Sequence, residues 1–241
     1  MSETTANVSG DGGPTTFVLI PGAGTDPRVF EPTIAALRDL GHEGVAPPLP
    51  LDDDAGRPSD HAEAIGAALP DPPPAPLVIV GQSLGAYAAT IAAARLRPAR
   101  LVLLAPMIPA PGESAGAWWG ATDHAAAIAP LIERHGEMSE WDDEAMADAF
   151  LHDLDPAAVE ASAEYGGRPG HGMFAEPLPL DTWPEVPTTV LAPREDRLFP
   201  LDFQRRVARE RLGLEAEEMG GGHLSMLSRP GELAERLVEL S

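Results

Sequence analysis

Four consecutive apolar residues, Leu77-Val-Ile-Val80, run directly into Gly81-Gln-Ser-Leu-Gly85. A stretch rich in small residues follows at once, with Ala86, Ala88, Ala89, Ala92, Ala93 and Ala94. A strand entering G-x-S-x-G and leaving as a helix can be built in few ways. The serine at so sharp a turn takes a strained backbone conformation, and its neighbours must lack bulk for the chain to pass. The turn then presents the Ser83 hydroxyl at the carboxyl edge of a sheet, above a helix N-terminus.

Other segments repeat the strand–helix alternation. Thr16–Ile20, Leu101–Leu104 and Thr188–Leu191 are near-continuous apolar runs, as expected for parallel strands covered on both faces. Shorter strands are expected at Glu43–Ala46 and Glu215–Met219. A helix is expected from Pro27 to Leu40, with Val29, Phe30, Ile34 and Leu37 on one face and Gly41 as its stop. A second is expected to run from a Ser59 cap to Leu69, and a last one from Pro230. The pattern predicts an α/β fold with a doubly wound, mostly parallel sheet.

From residue 107 to 184 the alternation stops, and the segment reads as helical and strand-poor. Asp155-Pro156 is a helix start, with an acidic N-cap and proline at the first helical position. Ser139-Glu-Trp-Asp142 resembles a capping box. All four tryptophans, Trp118, Trp119, Trp141 and Trp183, lie here with Phe150, Tyr165, Met173 and Phe174. The segment is read as a helical cap inserted into a core made of residues 15–106 and 185–241. Residues 1–14 are polar and read as a disordered tail, without the basic and apolar regions of a signal peptide. A cytoplasmic location is the expectation.

Composition excludes several function classes. The formal charge is −22, which opposes binding to nucleic acid or an anionic membrane surface. Every one of the 16 basic residues is arginine, so lysine Schiff-base and lysine general-base chemistry are absent. There is no cysteine for a disulfide, a thiol nucleophile or a thiolate metal site. The apolar runs are strand-length and too short to span a bilayer. Nothing in the pattern sets an oligomeric state.

Serine needs a base within hydrogen-bond reach. His223, in Gly220-Gly-Gly-His223 between the last expected strand and the final helix, is the candidate. Histidine needs an acid to fix its tautomer. Asp196, shortly after the Thr188–Leu191 strand, is the candidate, with Glu195 its competitor. The amides of Leu84 and of Ala23, in Pro21-Gly-Ala-Gly24 after the first strand, are candidate donors to an oxyanion. That loop lacks G-x-G-x-x-G spacing and the lysine of a phosphate loop, so nucleotide binding is not expected. Gly22, Gly24, Met107, Trp118, Trp119, His171 and Phe174 are candidates to line a substrate pocket.

The other polar residues have simpler readings. His42, His61, His124, His135 and His152 are scattered without metal-ligand spacing, so no metal or cofactor is expected. Ser225 reads as a loop hydrogen-bonder, Asp52-Asp53-Asp54 as a solvated loop, and Arg194 and Arg197 as solvated or paired. Arg197 would also be the residue to hold a substrate carboxylate.

Together these residues resemble the α/β-hydrolase superfamily. The resemblance rests on Phe17–Ala23, Gly81–Gly85, Asp196, and His223 with Met226-Leu-Ser-Arg-Pro230 after it. It extends over nearly the whole chain and is weakest in the cap. Within the superfamily the chain is most similar to the small cap-bearing group of plant methyl-ester esterases, hydroxynitrile lyases and pyrethroid-type carboxylesterases. Pro21 stands where many relatives have histidine before the loop glycine. The resemblance implies a cofactor-independent serine hydrolase acting on a small ester or acyl substrate, with Ser83, His223 and Asp196 as a triad. Neutral His223 would be required, so turnover is expected to fall in acid. The same fold also serves thioesterases, C–C hydrolases, biosynthetic cyclases and small-ligand receptors. The lyase branch uses a lysine near the histidine and a threonine in the oxyanion loop; this chain has no lysine, and Gly22 takes the threonine's place.

Overall fold

The computed structural model describes residues 13–51, 56–167 and 170–241. Most of the expected tail and the run Asp52-Asp53-Asp54 lie outside these residues. The described chain holds one six-stranded sheet. Its strands are β1 (Thr16–Ile20), β2 (Glu43–Val45), β3 (Leu77–Gln82), β4 (Arg100–Leu104), β5 (Thr188–Pro193) and β6 (Glu217–Met219). They lie in the order β2-β1-β3-β4-β5-β6, and every neighbouring pair is parallel.

Strand residues alternate between two cores, because successive side chains point to opposite faces. Phe17, Leu19, Val78, Val80, Val102 and Leu104 face helices Glu31–Asp39 and Pro230–Glu239 through Leu37, Leu233 and Leu237. Val18, Ile20, Ile79, Leu101 and Leu103 face helices Pro58–Ala67, Gly85–Leu96 and Leu201–Leu212. Both faces are therefore apolar, which is why the strands read as unbroken hydrophobic runs. Helix Gly85–Leu96 is buried without a break from Gly85 to Ala93, and its alanines let it lie close against the central strands.

Several local expectations shift. The Pro27–Leu40 segment begins as a 3-10 turn, Pro27–Phe30, before the helix proper at Glu31. Ser59 does not cap its helix. Pro58 takes the first helical position, and Asp60 accepts from the Arg57 N–H at 3.1 Å. The Ser59 N–H and hydroxyl instead both donate to Glu176, at 2.9 and 2.7 Å. Ser139 sits in a 3-10 turn, and Asp142 caps helix Asp143–Phe150 by accepting from the Ala145 N–H. Asp155 caps Pro156–Ser162 as expected.

Between β4 and β5 the described residues form helices and turns and no strand of the sheet. Ile128, Leu131 and Ala149 make a small separate core there, packed by Trp141 and Phe150. Among the described residues, no helix is long and apolar enough to cross a membrane.

Candidate active site

The sheet assembles the site at the carboxyl ends of four strands, the edge where parallel sheets bind ligands. Ser83 follows β3 with φ of +52°, a region that side chains seldom occupy. Its N–H donates to the Leu104 carbonyl at 3.0 Å, and its carbonyl accepts from the Met107 N–H at 3.0 Å, so β4 pins the turn. The flanking glycines are needed for close approach. A Cβ on Gly81 would meet Ala89 Cβ at 2.5 Å, and one on Gly85 would overlap the Pro21 carbonyl.

His223 comes from the loop after β6, and Asp196 from the loop after β5. His223 Nε2 lies 3.0 Å from Ser83 Oγ, and His223 Nδ1 lies 2.8 Å from Asp196 Oδ2. The other Asp196 oxygen accepts from the Phe199 N–H at 2.8 Å, which fixes the carboxylate plane. Asp196 is 4% exposed, His223 2% and Ser83 8%, so this chain of bonds is sheltered from water on all but the serine side. Phe199 and Phe150 pack against the imidazole in T-shaped contact, with centroids 5.0 and 5.3 Å away. Glu195, the competing acid, points elsewhere and accepts from the Gly221 N–H.

The loop after β1 brings Gly22, Ala23 and Gly24 to the same place. The Gly22 N–H donates to Gln82 Oε1 at 2.8 Å, and Gln82 Nε2 donates to the His223 carbonyl at 3.2 Å. The buried Gln82 side chain thus ties the β1 loop to the histidine loop. Sequence reasoning passed over it as a variable position of the motif. Among the described residues, the N–H groups of Ala23 and Leu84 have no acceptor. Leu84 is itself fully buried and does not line the cavity.

A cavity of about 480 Å³ opens over Ser83. Of the candidate pocket residues, Gly22, Gly24, Met107, Trp119 and Phe174 line it, together with Ala23, Trp141, Met146, Phe150 and Leu227. Its described lining contains no Asp, Glu or Arg. Two expected pocket residues lie elsewhere. Trp118 is fully buried in the main core, and its indole N–H donates to the Ile108 carbonyl at 2.9 Å. His171 is exposed at the start of the short helix Gly172–Ala175, which turns Met173 inward instead.

Arg197 does not line the cavity either. It pairs instead with Asp148 of the segment between β4 and β5. Among the described residues, the buried Ser225 hydroxyl has no partner and makes none of the expected loop bonds. Among the described residues, no three histidine or acidic side chains cluster to hold a metal.

His124 supports the site from below. Its Nε2 lies 2.7 Å from the Leu198 carbonyl, and its ring packs among Trp119, Phe199 and Phe203. Burial pushes the His124 imidazole below its ordinary value of 6.5, and that of His61 likewise. A proton then binds more readily to the unfolded chain than to the folded one. Stability is full above pH 6.5 and falls as the pH drops below it, toward the depressed folded values. The melting temperature is expected to fall between about pH 7 and 5, with His124→Gln flattening part of the slope. An unaltered slope in that variant would remove His124 as a cause.

A profile described as the alpha/beta hydrolase family matches residues 17–236. The chain belongs to the alpha/beta hydrolase family. No curated protein matches it in sequence. Among solved structures, it superposes on a pyrethroid hydrolase from Sphingobium faniae with a TM-score of 0.75 and 21% identity, covering 94% of this chain and 96% of that one. Polyneuridine aldehyde esterase gives 0.77 and 19%, over 94% and 99% of the two chains. An extracellular alpha/beta-hydrolase from a Paenibacillus species, described as homologous in structure and function to tobacco salicylic acid binding protein 2, gives 0.71 and 19%, over 94% and 98%. At such identities the likeness is one of fold.

Proposed function

We propose that this alpha/beta hydrolase cleaves small, neutral, largely apolar carboxylic esters through an acyl-enzyme, without a cofactor. The observation that carries the reading is the buried Ser83–His223–Asp196 chain opening into a cavity whose described lining bears no Asp, Glu or Arg. The names of two fold relatives, a pyrethroid hydrolase and polyneuridine aldehyde esterase, support it.

The triad distances support the following steps. His223 Nε2 takes the proton from Ser83 Oγ as the oxygen attacks the ester carbonyl. Nδ1–H stays bonded to Asp196, which holds the tautomer and stabilises the imidazolium. The oxyanion is received by the free amides of Ala23 and Leu84, donors that need no reorganisation when the charge develops. His223 then protonates the leaving alcohol, and a water activated by the same nitrogen releases the acid.

An apolar wall desolvates a substrate charge without pairing it, which costs several kcal/mol. Uncharged acyl groups are therefore expected over dicarboxylate half-esters. In a panel of aryl esters with a fluorophosphonate probe, the wild type is expected to label at Ser83 and to prefer neutral acyl chains. Failure to label, or a preference for anionic acyl groups, would refute the reading.

A further inference from the structure

Each of the three glycines ahead of His223 gives its amide to a carboxylate from a different part of the chain. The Gly220 N–H donates to Glu232 Oε1, the Gly221 N–H to Glu195 Oε2 and the Gly222 N–H to Asp153 Oδ2, each at 2.6 Å. Glu232 belongs to the last helix, Glu195 to the loop that carries Asp196, and Asp153 to the helical segment between β4 and β5. A Cβ on Gly220 would lie 2.7 Å from Glu232 Oε2, and one on Gly222 2.7 Å from Asp153 Oδ1. The acids occupy the space that side chains would fill. Hydrogen bonds to ionised acceptors are about twice as strong as neutral ones. A run of glycine would otherwise be the least rigid way to carry a catalytic base.

Asp153 differs from the acids around it. Asp142 and Asp155 cap helices of their own segment. Among the described residues, the Asp153 carboxylate bonds only to Gly222, and its second oxygen is buried without a partner. It makes no bond that would shape its own segment. The five residues before it meet the site at two further points. Asp148 pairs with Arg197, the neighbour of Asp196, and its carbonyl accepts from Arg197 Nη1 at 3.2 Å. Phe150 packs against the His223 ring in T-shaped contact. Residues 148–153 thus touch the neighbour of the acid, the base itself and the neighbour of the base.

We propose that Asp153 is a positioning residue: it fastens this strap to the histidine loop and keeps the imidazole in line with Ser83. The proposal rests on the hydrolase reading for its kinetic consequence and on the loop geometry alone for its structural one. A misplacement of about 1 Å at a reacting group costs about 10²-fold in rate. With two of the three clamps left, Asp153→Ala is expected to lower kcat about tenfold and to leave KM within about twofold.

The test uses the full chain, a neutral aryl ester and the downfield proton resonance of the His223 Nδ1–H in water. Asp153→Ala is expected to lose kcat and to broaden that resonance. Asp153→Asn, which keeps an oxygen for the Gly222 amide, is expected to recover most of both. Asp155→Ala, which strips a helix cap two residues away, is expected to change neither. Asp153→Ser stays polar but falls short of the amide, and it carries the test if the alanine variant does not fold. Wild-type kcat and a sharp resonance in Asp153→Ala would overturn the proposal. So would equal losses in Asp153→Ala and Asp155→Ala, or an asparagine variant no better than alanine. If the wild type cleaves no ester, the hydrolase reading fails, and the resonance still decides whether Asp153 holds the loop.

Discussion

Ser83→Ala is expected to abolish fluorophosphonate labelling and to lower kcat on the order of 10⁶-fold, the cost of removing the nucleophile from a serine triad. The two other aliphatic hydroxyls of the described lining offer no substitute. The Thr25 hydroxyl donates to the Ala23 carbonyl at 3.4 Å, and the Ser162 hydroxyl to the Val159 carbonyl at 2.8 Å. Neither touches His223, whose Nε2 faces only Ser83 Oγ among the described side chains. Because the three residues act as a unit, His223→Ala is expected to cost about as much, and the double variant little more than either. Asp196→Asn keeps the bond to the Phe199 N–H but destroys the acceptor for Nδ1–H. It is expected to cost about 10⁴-fold with the fold intact. Ser83→Ala removes one hydroxyl from the cavity wall and leaves its apolar lining in place, so an uncleavable ester analogue is expected to bind this variant about as tightly as wild type. Full turnover or continued labelling of Ser83→Ala would dismiss the mechanism.

Legibility in the sequence followed the range of the interactions. The β3–Ser83–Gly85 turn is decided by contacts within a few residues, and its glycines are visible as glycines. Asp196 and His223 were legible because strand ends place them, whatever the intervening chain does. Asp153 was not, since its partner Gly222 is 69 positions away and nothing local marks the bond. Gln82 was hidden for another reason. Its amide bridges two loops that meet only when β1, β3 and β6 are in register. In the helical segment the elements are short, so no periodicity assigns one face to the core. Trp118 and Trp119 are adjacent in sequence, yet only the second reaches the cavity. At Pro58 and Asp142, a proline and an acid each captured a helix start that the sequence pattern assigns to a nearby serine.

That division of the tryptophan pair predicts the largest loss of stability. Trp118 is fully buried, with ring centroids 5.3 to 5.7 Å from Trp119, Phe199 and Phe203. It belongs to the core formed by β3, β4 and helix Leu201–Leu212, so it joins the segment over the site to the sheet domain. Trp118→Ala is expected to cost about 3–5 kcal/mol, against a total of about 5–15 kcal/mol for an ordinary domain. Most of this loss is packing. The Ile108 carbonyl that accepts the indole N–H also accepts from Arg211 Nη1 at 2.7 Å, so it keeps a partner when the indole is gone. Trp118→Phe is therefore expected to recover most of the loss, as it would not if the hydrogen bond dominated. Trp119 is half-buried and faces the cavity. Trp119→Ala is expected to raise KM for bulky esters and to change the melting temperature far less. Thermal melts and ester kinetics on the same three variants separate these roles. A stable Trp118→Ala beside a collapsed Trp119→Ala would reverse the assignment and place the anchor of the overlying segment at the cavity wall.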